Sequence, residues 1–92
     1  MADTIVKKKL TISNRLGLHA RPAAMFVQMA NRFASDITVE RANEKVNGKS
    51  IMGIMMLAAG KGLKITVTAM GEDAEEAVRA LEELVKGKFG EG

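Results

Sequence analysis

From Leu63 to Ala69 apolar and polar side chains alternate without a break: Leu63, Ile65, Val67 and Ala69 take one side, and Lys64, Thr66 and Thr68 take the other. A period of two sets one face of a strand against a core and leaves the other in water. A sheet containing this strand is therefore covered on one side only. Two further stretches repeat at helical spacing: Ala23, Phe26, Val27, Ala30, Phe33 and Ala34, then Ala74, Ala77, Val78, Leu81, Leu84 and Val85. Helices with one apolar stripe and strands with one apolar face satisfy each other by stacking as two layers.

The remaining elements follow from shorter patterns. Val6, Leu10 and Ile12 share a parity that suits a half-buried strand, with Lys8 as the exception. A loop from Ser13 to Leu18 leads into a helix predicted from about Ala20 to Phe33. Ile37 and Val39 mark a second strand, and Lys45-Val46-Asn47-Gly48 marks a third after a turn around Ala42 to Glu44. Ser50 precedes Ile51-Met52-Gly53-Ile54-Met55-Met56-Leu57, enough for about two helical turns before Gly60 and Gly62. Asp73 and Glu76 have a loose capping-box spacing ahead of the last helix, which Gly87 can terminate. The expectation is an α+β fold, a two-layer open-faced sandwich of order βαββαβα. Its four-stranded antiparallel sheet carries the helices packed on one face. With 92 residues, 1–92 should form a single domain with a modest core and no room for a deep cleft.

Composition removes several functions. The chain has no cysteine and one histidine, so disulfides, thiolate metal sites and the usual zinc site are out, and no metal or cofactor is expected. The opening Met1-Ala2-Asp3-Thr4 has an early acid and no signal-like apolar stretch. No later run approaches the roughly 20 apolar residues of a membrane span, so a cytoplasmic protein without direct membrane insertion is expected. The net charge of +3 and the run Lys7-Lys8-Lys9 would suit nucleic acid, but aromatic residues make up 3% of the chain, and Tyr and Trp are absent. Stacking surfaces are thus missing and no nucleic-acid partner is expected. The lysines read instead as protection of an edge strand, or as mild steering of an acidic protein partner.

The only histidine and the only proline both fall in Gly17-Leu18-His19-Ala20-Arg21-Pro22-Ala23, at the start of the first predicted helix. Proline in a first helical turn forfeits no hydrogen bond, so the boundary is well marked. The amides there have no partners within the helix and favour an anion, and imidazole titrates nearest neutrality. Arg21 adds a planar cation two residues on, and Gly17 permits a tight turn before the ring. These residues suit transient phosphorylation of His19. A hydrolase would also need a positioned acid, base or metal and a water-excluding cleft, none of which the motif region supplies.

That run resembles the active-site motif of HPr, the histidine-containing phosphocarrier family of the bacterial phosphoenolpyruvate-dependent sugar phosphotransferase system. Ser50-Ile51-Met52-Gly53-Ile54-Met55, thirty-one residues after His19, carries the resemblance further. So do Val46-Asn47-Gly48-Lys49, Leu57-Ala58-Ala59 and Gly71-Glu72-Asp73-Ala74, which extend it over nearly the whole chain. The resemblance implies the same βαββαβα order and a phosphoryl relay. Enzyme I, charged by phosphoenolpyruvate, would phosphorylate Nδ1 of His19, the pros nitrogen, and the group would pass to the A component of a sugar permease. Arg21 would orient and stabilise it. The chain would be the phosphorylated intermediate rather than an enzyme, and a monomer.

Ser50 carries two readings. Serine is a preferred N-cap and needs no other purpose ahead of a short helix. In the family the matching serine is regulatory, modified by HPr kinase/phosphorylase, and the modified form serves a catabolite-control regulator as co-repressor. A phosphate at Ser50 would add about 1.5 to 2 negative charges beside the docking surface. The family's apolar docking patch maps to Ile51, Met52 and Met55, while Ile54 and Leu57 read as core. One departure stands out: many members have a small polar residue three positions before the histidine, where this chain has Leu16. Two alternatives accompany the relay: a regulatory carrier of the nitrogen-related branch, and a co-repressor-type binding module acting through its serine.

Overall fold

The computed structural model describes residues 4–57 and 59–90. Ala58 and the opening residues 1–3, both read above, lie outside them. The elements run β1 (Thr4–Thr11), α1 (Ala20–Ala30), β2 (Asp36–Arg41), β3 (Glu44–Asn47), α2 (Ile51–Met56), β4 (Lys64–Gly71) and α3 (Ala74–Lys86), followed by a short turn at Lys88–Gly90. All strand pairs are antiparallel, in the order β1-β4-β2-β3. The expected open-faced sandwich is therefore what the chain forms. Ile65, Val67 and Ala69 of β4 meet Ile37 and Val39 of β2 on the covered face, under Phe26 of α1 and Leu81 of α3.

The parity exception on β1 has a physical cause. Lys8 lies on the helix side with Val6 and Leu10, and its ammonium reaches Glu82 Oε2 on α3 at 2.8 Å. Lys86 meets the same oxygen at 3.1 Å from one helical turn on. The aliphatic stem can thus lie over apolar surface while its charge is paired. Two cations beside it hold the Glu82 carboxyl below its ordinary range, through hydrogen bonds from Lys8 first and Lys86 second.

One boundary differs from expectation, and the two ends of α3 fall where expected but are built differently. α1 stops at Ala30 instead of Phe33, because its end tightens: Arg32 N–H donates to Met29 O at 3.1 Å and Phe33 N–H to Ala30 O at 3.2 Å. Lys49 Nζ then takes the Phe33 carbonyl at 2.7 Å. Asp73 stands at the N-cap of α3 but makes no capping bond with its side chain. Its carboxylate instead accepts from Ala34 N–H at 2.8 Å, from Ser35 N–H at 2.9 Å and from the Ser35 hydroxyl. Gly87 ends α3 with φ of −78°, so the left-handed residues come later: Lys88, Phe89 and Gly90 have φ of 55°, 54° and 75°. A left-handed conformation costs about 1–2 kcal/mol per non-glycine residue. Burying a phenylalanine returns roughly 1.5–3 kcal/mol, and Phe89 is only 3% exposed.

Candidate functional site

His19 is the N-cap residue of α1, with extended backbone (φ −76°, ψ −174°) and no side-chain bond capping the helix. The first turn-closing bond runs from Ala23 N–H to His19 O at 2.9 Å. The amides of Ala20 and Arg21 precede that bond and Pro22 has none to offer, so the helix start presents its positive end beside the imidazole. Arg21 is exposed on the first turn. No metal-sized cluster of His, Asp or Glu occurs among the described residues.

The backbone around the ring is held at both ends. Leu18, on one side, is buried and its N–H donates to Ala59 O at 2.9 Å; Pro22 and Ala23, on the other, are buried in the core. Within the loop, Asn14 Nδ2 donates to Gly17 O at 2.7 Å, and Gly17 N–H to Asn14 O at 3.2 Å. Gly17 has φ of +68°, and a Cβ there would overlap the Ala59 carbonyl oxygen. Only glycine fits both the angle and the approach. His19, half-buried, is therefore held in position through its chain neighbours and lines a shallow basin of about 260 Å³.

Leu16, Leu18, Met55, Ala59 and Gly60 complete that basin, which brings α2 to the histidine. α2 is anchored by Ile54 and Leu57, both in the core, and by Arg41 of β2, whose Nη1 donates to Leu57 O at 3.1 Å. With those two side chains inward, Ile51, Met52, Met55 and Met56 are exposed. Ser50 caps the helix: its Oγ accepts from Gly53 N–H at 3.0 Å. Ile51, Met52 and Ser50 share α2 with Met55 but do not line the basin. The reading from residues alone missed Leu16 as a member of this surface. It is 68% exposed and lines the basin with His19, and its signal was an apolar side chain directly after the polar run Ser13-Asn14-Arg15.

The one histidine thus stands half-buried at a helix start, on an open-faced sandwich with a shallow basin in place of a cleft. Residues 6–87 match the family described as PTS HPr component phosphorylation site. The phosphocarrier protein HPr of Neisseria meningitidis is 50% identical over 88 residues, covering 96% of this chain and 99% of its own. A crystal structure of HPr from Thermoanaerobacter tengcongensis superposes with a TM-score of 0.91 at 52% identity, over 95% of this chain and 98% of its own. A structure of Crh, a Bacillus subtilis catabolite repression protein described as a dimer with a swapping domain, matches at a TM-score of 0.73 and 48% identity, over 90% and 95% of the two chains. The chain belongs to the HPr phosphocarrier family.

Proposed function

We propose that this protein relays a phosphoryl group: His19 accepts it from phosphorylated enzyme I and surrenders it to the A component of a sugar permease. The observation that carries the reading is His19 as N-cap of α1 at the rim of an open basin. Nδ1 attacks phosphorus as its bond to the donor breaks, and in the onward step a nucleophile of the acceptor attacks phosphorus as the Nδ1–P bond breaks. The Ala20 and Arg21 amides and the Arg21 guanidinium favour the doubly anionic cargo. A phosphoramidate is a high-energy bond, and a shallow site lets two proteins reach the same atom in turn. The protein is then a carrier and not an enzyme, acting as a monomer in the cytoplasm without a cofactor.

Ile51, Met52 and Met55 are the apolar docking patch in this reading. The capping bond at Ser50 is a sufficient structural role for the hydroxyl; a further role as the acceptor for HPr kinase/phosphorylase, with a catabolite-control regulator downstream, rests on its place beside that patch. Incubation with enzyme I and phosphoenolpyruvate is expected to give one acid-labile, alkali-stable phosphate on the wild type and none on His19→Ala. Label retained in the variant removes His19 from the relay. A wild type that accepts no phosphate favours instead the binding module acting through its serine.

A further inference from the structure

Methionine is the only sulfur residue of the chain, which has seven of them and no cysteine. Three are concentrated on the six residues of α2, where Met52 is 73%, Met56 63% and Met55 42% exposed. Met25 and Met29 of α1 are partly covered by the core. Met70 is 41% exposed but belongs to β4, where strand alternation and its cross-strand neighbours Ile5 and Asp36 place it on the uncovered face of the sheet. Among the described residues the most exposed methionines thus cluster on one helix, whose Met55 lines the basin at His19, and Met70, about as exposed as Met55, lies on the uncovered face of the sheet.

We infer that α2 is an oxidation-sensitive gate on the relay: a hydroperoxide converts Met52, Met55 and Met56 to sulfoxides, and the sulfoxides block docking. In each step the thioether sulfur attacks a peroxide oxygen, the O–O bond breaks as the S–O bond forms, sulfur gives up two electrons, and the other peroxide oxygen leaves as water from hydrogen peroxide or as an alcohol from an organic hydroperoxide. The product is a polar, chiral side chain where a flexible apolar one had been. An apolar contact must shed its water to bind, and a sulfoxide holds water firmly. Because α2 is anchored by Ile54, Leu57 and Arg41, the change alters the surface without undoing the fold. Sulfoxide reduction by a dithiol-driven reductase returns the thioether, with the dithiol oxidised to a disulfide and the oxygen released as water. Lacking thiols, the protein senses oxidants through Met52 and Met55 of the proposed docking patch and through Met56 beside them on the same helix.

The inference rests on the relay reading, and the experiment separates the two. Purified protein is treated with hydrogen peroxide, its sulfoxides are mapped by mass spectrometry, and phosphoryl transfer from enzyme I is measured before treatment, after it, and after methionine sulfoxide reductase. Failure of the untreated protein to accept phosphate overturns the relay itself. With the relay intact, oxidation at Met52, Met55 and Met56 is expected to lower kcat/KM by about tenfold or more, with an unchanged thermal transition and recovery after the reductase. Met70→Leu should keep the full sensitivity. The triple variant Met52→Leu, Met55→Leu, Met56→Leu should show equal rates before and after treatment, whatever its own starting rate. Unaltered transfer by the mapped sulfoxide form overturns the inference, as does loss of the fold on oxidation or sensitivity that follows Met70.

Discussion

At the scale of single residues, the proposed relay places its chemistry on two neighbours with opposite demands on the core. His19 needs a fixed position, which buried Leu18 and Pro22 supply, whereas Arg21 needs freedom to meet a cargo and stands exposed. Arg21→Ala is therefore expected to leave the thermal transition in place and to slow phosphoryl transfer roughly tenfold to a hundredfold, the scale of one lost charge-assisted hydrogen bond or pair. Stopped-flow transfer assays beside a melting curve check both halves. A collapsed transition would make Arg21 structural. Their position at the start of α1 was legible in the sequence because everything that marks it is local: one proline, one glycine and one helix start lie within seven positions. Leu16 was not, since its place on the basin depends on Met55 and Gly60, some forty residues away.

Between elements, Asp73 joins three of them. Its carboxylate ties the N-terminus of α3 to the turn between α1 and β2, where the hydroxyl of buried Ser35 and two amides donate to it. The close approach of that turn to the end of β4 leaves no space for a side chain at Gly71, whose Cβ would lie 2.8 Å from Ser35 Cα. Hydrogen bonds from the Ser35 hydroxyl, and then from Ala34 N–H, hold the Asp73 carboxyl below its ordinary range. A depressed carboxylate contributes stability that is present above its unfolded value near 3.9 and drains away as pH falls through the folded one. Thermal unfolding of the wild type should therefore shift downward as pH drops from about 5 toward 2, and Asp73→Asn should be less stable near neutrality with a flatter acid limb. An identical acid limb would assign that sensitivity to other carboxylates. Spacing suggested a cap for α3, yet the partner lies 38 residues away, a relation that periodicity does not encode. The positive φ at Lys88 and Phe89 was equally hidden, because it follows from where Phe89 finds the core.

Across the whole molecule, the formal charge of +3 accompanies a proposed docking surface that is shallow and carries exposed apolar side chains. Mild positive charge accelerates encounter with an acidic partner and is screened by salt. Ser50→Asp lowers the formal charge from +3 to +2 and puts the negative group beside the exposed side chains of α2. Binding of enzyme I, measured by titration calorimetry, is expected to weaken severalfold at low ionic strength and to lose less as salt rises. Unchanged affinity would leave the serine as a cap alone. The architecture at this scale was the most legible part of the chain, because alternation in β4 and the two helical stripes determine which faces must meet. Lys8 broke its strand's parity only because Glu82 waited on α3. The open basin has a kinetic corollary. On the relay proposal, a phosphoryl group lodged there would stay within reach of bulk water, so each loaded molecule would run down like a timer, and such a protein would deliver throughput between neighbours, never a stored reserve.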